Sequence, residues 1–499
     1  MRMFKKYGVF SVLISLVLFA LAQAQPDTSG VSGNSVMAGK NDLDKGRVEL
    51  PDGLVLKPHA YGHFEAGQIV NGSLRNNILD INGGSLSNFK IDHVWTEDAV
   101  VWLGLEALYQ ENYKMVLEMG TKLYFSYPQE GTTNRYTKNN RQDVFLEKAY
   151  SQYQIGDENS PYFLTQVGYF NFKYNPEARN FGEYMFRTGT YPIYFDMSFD
   201  DPQARLLGLH LQSNLAQSLK LDALFASATA YPTMNWSLAL LGSYDVARLH
   251  FMEIGAGVDW ADLFDVYTGH SFPVRLGGDP TQPEGSLNDA YVDDNGDTTY
   301  YTFRGTKVMA RVTFDPKAFI KSSMLGENDL KVYFEADIIG IKSYPDSAVL
   351  VGGNAQTDAS GNPVKKQTAP SYDKWWEKMP VMFGVNVPTF KILDILNFEG
   401  EWFGAKYYND ASGVLNQGSK PLPWNVIVDD ASQKLPAKSQ LKWSIYAKKS
   451  FFNGHFALTG QVGRDHMRLP TADYDNEMYN ELLIEPSDWW WVLKTSWMF

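Results

Sequence analysis

The 499-residue chain contains no cysteine. Disulfides, thiolate metal centres and cysteine nucleophiles are therefore excluded, and so is a lipid anchor on an N-terminal cysteine. Long apolar runs are equally scarce. Val9 to Leu21 is one, and no other stretch approaches the roughly 18 uninterrupted apolar residues of a membrane-crossing helix. Basic runs are missing too, and the formal net charge is −13, which argues against nucleic acid as a partner. Catalytic signatures are absent: the eight histidines are scattered, with no His-Glu-x-x-His, no Gly-x-Ser-x-Gly and no phosphate-binding loop. Asp293-Asp294-Asn295-Gly296-Asp297 imitates a calcium loop, but Tyr291 and Thr302 stand where its first Asp and its Glu are needed. No catalytic residue, metal ligand or cofactor is expected, and the chain is not read as an enzyme.

What is present begins with an export signal. Arg2, Lys5 and Lys6 precede the apolar Val9–Leu21 run, and Ala22-Gln23-Ala24 supplies a small-x-small cleavage site before Gln25. Residues 1–24 are read as a signal peptide and the polar stretch 25–56 as a flexible periplasmic lead-in. Residues 57–499 are read as a single β domain.

That domain alternates with period two. Val101, Leu103, Leu105, Ala107 and Tyr109 share one face, and after a turn Tyr113, Met115, Leu117 and Met119 continue it. Glu106, Lys114, Glu118 and Lys122 occupy the other face. Strands are predicted at 57–70, 97–109, 113–127, 143–155, 161–174, 203–213, 217–230, 236–245, 248–260, 300–315, 329–342, 378–388, 396–409, 440–450, 454–467 and 488–499. Connections after even-numbered strands are mostly tight and those after odd-numbered strands mostly long. A transmembrane, antiparallel, up-and-down β-barrel of about sixteen strands sorts its loops in this way, with short periplasmic turns and long outer loops.

The last eleven residues place Trp489, Trp491, Leu493, Thr495, Trp497 and Phe499 on one parity. A final strand ending on an aromatic residue resembles the C-terminal signal of Gram-negative outer-membrane β-barrel proteins. The resemblance implies residence in the cell outer membrane and makes Trp497 and Phe499 the assembly signal. The segment Phe145 to Tyr191, with Val167-Gly168-x-Phe170-x-Phe172 followed by Asn175-Pro176-Glu177, resembles the phosphate-selective and related sixteen-stranded porins. The basic ladder of the phosphate-selective group is interrupted by Glu106, Glu118, Glu335 and Asp337, so the resemblance carries architecture and not phosphate specificity.

What it implies is a third outer loop, 175–202, folded into the lumen, with Glu177, Arg179, Glu183 and Arg187 facing each other across a constriction. Lys220, Lys307, Arg311, Glu335 and Asp337 are the expected wall residues of the pore. The function expected is passive diffusion of small hydrophilic solutes or ions. The alternative is a structural or adhesive barrel whose loop tryptophans, Trp375, Trp376 and Trp424, stack on surface glycans. Glu399 and Glu401, two apart on one strand, are read as part of a charged lumen stripe. The expected partners are outer-membrane lipid and lipopolysaccharide, the outer-membrane assembly machinery, small solutes and further copies of the chain in a homotrimer.

Overall fold

The computed structural model describes residues 53–75, 88–127, 140–186, 203–265, 305–404, 441–464 and 486–499, with short gaps inside these ranges, and a few isolated strand pieces elsewhere. Residues 1–47 lie outside the described residues, and with them the signal peptide and most of the lead-in. One sheet holds eighteen strands, two of which, Val48–Glu49 and Phe195–Asp196, are two-residue pieces.

The other sixteen form the wall. They are β1 (Leu54–Asn71), β2 (Val94–Tyr109), β3 (Tyr113–Tyr127), β4 (Asn140–Asp157), β5 (Ser160–Phe172), β6 (Gln203–Ala216), β7 (Leu219–Ala228) and β8 (Asn235–Asp245). They continue as β9 (Met252–Asp265), β10 (Gly305–Phe314), β11 (Val332–Ile338), β12 (Pro380–Asn386), β13 (Ile395–Phe403), β14 (Leu441–Phe451), β15 (Phe456–Arg464) and β16 (Trp489–Met498). Each pairs antiparallel with its neighbour in sequence, and β16 pairs with β1 through registers such as Gly62↔Trp497 and Ala66↔Leu493. The ring is therefore closed, and no wall strand is left as an open edge.

All sixteen predicted strands have their counterpart, but several are shorter. The predicted 300–315 strand begins at Gly305, because Thr298–Thr302 pairs instead with Ser286–Val292 in a hairpin of its own. The predicted 329–342 strand is confined to Val332–Ile338, since Leu330 turns to φ 69° and gives its N–H to Asn386 outside the ladder. At one end the connections are tight, as at 110–112 and 452–455; at the other they run to dozens of residues, as at 266–304 and 404–440. The connection 315–331 is the long one at the tight end. Asp315 opens it by accepting a hydrogen bond from the Lys317 N–H (3.0 Å) ahead of the 3-10 turn Pro316–Ala318.

Side chains settle which way the faces point. Outward positions expose large apolar groups all round the ring, among them Met115 (60%), Val144 (66%), Leu441 (57%) and Leu493 (52%). A water-soluble protein does not present a continuous apolar surface of this extent, whereas a bilayer requires one. The lumenal face is polar on β1 to β4, where charges pair across strands. Asp98 meets Lys122 (2.7 Å) and His63 (3.2 Å), Glu118 meets Lys148 (2.9 Å) and His59 (3.1 Å), and Glu106 meets Lys114 (3.1 Å). The charged face of the Val101–Phe125 hairpin is thus interior, where its charges pair with one another and with His59, Asp98 and Lys148.

The chain's last strand is tied in by packing as well as by its ladder. Trp497 faces outward and lies flat over Gly62, whose absent Cβ would sit 2.5 Å from the indole. Phe499 extends the pairing beyond the last strand residue: its N–H and C=O bond to the C=O and N–H of Ala60, both at 2.9 Å. Its side chain is 65% exposed, so the ring contributes little burial to the finished fold.

Candidate functional site: a segment folded inside the barrel

Beyond β5 the chain does not leave the barrel. Residues 173–186 turn inward, and from Tyr174 to Phe186 every residue except Pro176 is buried. The socket that receives them is written into the wall. On the lumenal parity, where alternation calls for polar groups, β5 to β8 carry Phe170, Phe172, Ala204, Leu206, Leu224, Ala226, Ala239 and Leu241. Met185 and Phe186 insert among these side chains together with Met309 of β10. Farther round the ring, Ala178, Phe181 and Tyr184 pack against Tyr333 of β11, Met382 of β12 and Phe403 of β13. The segment therefore lines the wall from β5 to β13.

Two adjacent residues in left-handed backbone shape it. Gly182 has φ 83° and Glu183 has φ 59°. A Cβ at Gly182 would come within 2.9 Å of the Glu335 carboxylate, so glycine is required there both for backbone and for space.

Wall carboxylates then fix the segment's backbone. Glu399 of β13 accepts three consecutive backbone N–H groups, from Arg179 (2.6 Å), Asn180 (2.6 Å) and Phe181 (2.9 Å), and the Tyr333 hydroxyl (2.5 Å). Glu335 of β11 accepts the Tyr174 hydroxyl (2.8 Å), the Asn175 side-chain amide (2.5 Å) and the Tyr184 N–H (3.2 Å). Glu401 accepts the Tyr184 hydroxyl (2.5 Å) and pairs with Lys442 of β14 (3.0 Å). From β10, Lys307 donates to the Met185 carbonyl (2.9 Å). Irregular backbone inside a membrane-embedded wall must satisfy its N–H groups within the protein, and these carboxylates do so.

The expected site residues fall into distinct places. Glu177 and Arg179 are both buried. Lys331 bonds Glu177 at 2.8 Å. Glu183 is enclosed within the segment. Arg187 lies outside the described residues, as do Trp424 and the acidic 293–297 turn. Lys307, Glu335 and Asp337 meet the segment directly or through Tyr174. Lys220 and Arg311 face the lumen elsewhere: Lys220 is 3.3 Å from Asp222, which also takes His210 at 2.8 Å, and Arg311 pairs with Glu253 of β9. Trp375 and Trp376 are exposed, edge to face at 6.0 Å. Among the described residues no group of three His, Cys, Asp or Glu is placed to hold a metal ion.

The sequence reading missed the anchoring role of Glu399 and Glu401, which it took as a lumen stripe, and missed Tyr174, Asn175, Tyr184 and Tyr333 altogether. Apolar residues on the lumenal parity of β5 to β8 were the available signal that something packs there.

No protein-family model matches the chain, and no curated protein does. Among solved structures it is similar to a Salmonella typhi OmpF complex with daunomycin, at 8% identity and a TM-score of 0.43, over 91% of this chain and 100% of that one. It is similar also to mutants of the Rhodopseudomonas blastica porin, at 7% identity and TM-scores of 0.36 and 0.35, over 89% of this chain and 100% of theirs.

Proposed function

We propose that the protein is an outer-membrane channel for small hydrophilic solutes, exported by the signal at residues 1–24 and narrowed by the segment 174–186. The observation that carries this reading is the segment itself, bound at mid-wall inside a closed, lipid-facing ring of sixteen strands. A ring of that size is wide enough for an aqueous passage, whereas eight strands fill with side chains. Binding a loop against one arc of the wall, from β5 to β13, leaves the arc of β14 to β16 and β1 to β4 as the path solutes would take. That arc carries both signs, and its fixed charges would sort solutes at close range.

Purified protein reconstituted into a planar bilayer is expected to give discrete conductance steps, with weak preference between anions and cations. Intact bilayers showing no steps over a range of voltages would rule the channel out. Binding of glycans to the loops in that case would favour the adhesive alternative.

Assembly gives a second expected result. Deleting Phe499 removes two backbone hydrogen bonds and one largely exposed ring, a loss of about 1–3 kcal/mol. A barrel of sixteen strands survives that loss, but a recognition signal read during insertion does not. Outer-membrane levels in vivo should fall far more than the urea midpoint of refolded protein. Equal surface levels of the two chains would remove Phe499 from the assembly signal.

A further inference from the structure

The polar lumenal face of β1 to β4 is crossed by one apolar row. Tyr61 of β1 stands opposite Met498 of β16 on one side and Trp102 of β2 on the other. Trp102 stands opposite Gly120 of β3, and Gly120 stands opposite Phe145 of β4. These positions share the parity of the lumenal pairs, whereas the alternate residues Val101 and Val144 point outward.

The row is continuous. The Tyr61 and Trp102 rings stack with centroids 3.9 Å apart. Phe145 lies over Gly120, where a Cβ would come 2.6 Å from its ring and 2.8 Å from the Trp102 Cβ. Glycine at 120 therefore lets the two aromatic residues approach across the strand between them. Met498, Tyr61, Trp102 and Phe145 are only half-buried. Phe170, Phe172 and Leu206, also apolar on the lumenal parity, are buried beneath the inner segment. Barrel strands tilt about 35–45° from the axis, so a row running straight across them climbs the wall. Met498 lies at the tight-turn end of β16 and Phe145 in the long-loop half of β4. Four spacings of about 4.8 Å make the row about 19 Å long.

Ion pairs border it on both sides. Toward the long loops lie Lys122 and His63, both on Asp98, with Asp143 opposite Lys122. Toward the tight turns lie His59 and Lys148, both on Glu118, and His59 reaches there by crossing Gly104. The lysine side chains are 28% and 29% exposed, and the carboxylates they meet lie beneath them. An ammonium has three donors, so one paired with a carboxylate can still bind a neutral oxygen. With the charges matched locally, an ion of either sign meets its own sign beside the opposite one. A solute with an apolar ring face and a rim of neutral hydroxyls suits both the row and its borders. Pyranose sugars have that form.

We propose that the row Met498–Tyr61–Trp102–Phe145 is a binding track for neutral saccharides, which lie with their ring faces on the aromatic side chains. The proposal names a solute class for the channel reading and rests on that reading for transport; binding to the track does not require passage.

Glucose, maltose and maltotriose are titrated calorimetrically into purified protein in detergent, and the same sugars are added to one side of a planar bilayer holding it. Affinity is expected to rise with chain length, because a longer chain covers more of the row, and current should be partly blocked over the same concentrations. Trp102→Ala should weaken maltotriose binding about tenfold. Val101→Ala, on the lipid side of the same strand, should leave it unchanged. If Trp102→Ala does not give a folded barrel, Phe145→Ala serves in its place.

No saccharide binding, or parental affinity in the folded ring variant, overturns the track. Sodium benzoate binding more tightly than maltotriose would assign the row to aromatic anions and overturn the saccharide class. Maltotriose binding without current at any voltage keeps the track and ends the channel reading. Current that no saccharide blocks, from protein that binds none, does the reverse.

Discussion

Replacing Glu399 by alanine is expected to free the middle of the inner segment and raise single-channel conductance at neutral pH. The substitution leaves four donors without an acceptor: the N–H groups of Arg179, Asn180 and Phe181, and the Tyr333 hydroxyl. Each buried orphan costs about 1–3 kcal/mol, so a seated segment would carry a penalty of about 4–12 kcal/mol. Lifting residues 178–184 instead exposes Phe181 and Tyr184, at roughly 1.5–3 kcal/mol each. The second route costs less, so the segment lifts while Met185 and Phe186 hold its far end in the apolar socket of β5 to β8. The barrel itself, whose ladder is untouched, should stay folded, with a stability loss of about 3–6 kcal/mol. Unheated protein migrating as a compact barrel on a denaturing gel checks the fold, and conductance checks the segment. A folded variant with parental conductance would show that the segment does not narrow the passage. Glu399→Gln retains one acceptor oxygen and should fall between the two.

The wall was legible because it is a local pattern repeated many times. Side chains alternate with period two, and each tight turn restarts the alternation, so a strand such as 113–127 coincides with Tyr113–Tyr127 residue for residue. Where prediction overran, as before Gly305, the alternation belonged to another pairing, that of Thr298–Thr302 with Ser286–Val292, and pairing is a property of two segments that one segment does not display. Loop sorting by parity was equally readable, since it follows from closing an even number of strands across a membrane.

The inner segment was legible only in part. Its mixed charges, Glu177, Arg179 and Glu183, stood out. Their arrangement did not, because it depends on contacts created by ring closure. Glu399 meets Arg179 across 220 residues of sequence and Glu335 meets Asn175 across 160. A glutamate that caps three backbone N–H groups and one that merely faces water have the same neighbours in sequence. Charge-facing-charge was the natural reading of Glu177, Arg179 and Glu183. The structure adds backbone and wall partners to them, with Glu177 on Lys331 and Glu183 accepting from the N–H groups of Tyr174 and Asn175. The departure of Phe170, Phe172, Leu206 and Leu224 from the polar lumenal pattern is the one sequence feature that marked the socket, and its reason is now plain.

Gly384→Ala is expected to destabilise the barrel by about 1–3 kcal/mol, while Gly460→Ala should change it by less than about 0.5 kcal/mol. The two glycines sit in comparable places, each within a wall strand beside a cross-strand neighbour. At Gly384 of β12 a Cβ would collide with the ring and hydroxyl of Tyr333, its partner on β11. That ring cannot yield cheaply. It is buried, its hydroxyl donates to Glu399 at 2.5 Å, and it accepts from the Asn397 side chain at 2.8 Å. Moving it disturbs the same carboxylate that holds Arg179, Asn180 and Phe181, so Gly384→Ala should also reproduce a milder form of the Glu399→Ala conductance. At Gly460 of β15 a Cβ would meet only the Leu493 Cδ2, at 3.2 Å. Leu493 points outward and is 52% exposed, so it rotates aside. Urea midpoints of the two variants refolded into vesicles, followed by tryptophan fluorescence, compare them directly. Equal midpoints would mean that Tyr333 is free to move and is not the rigid link between the wall and the inner segment.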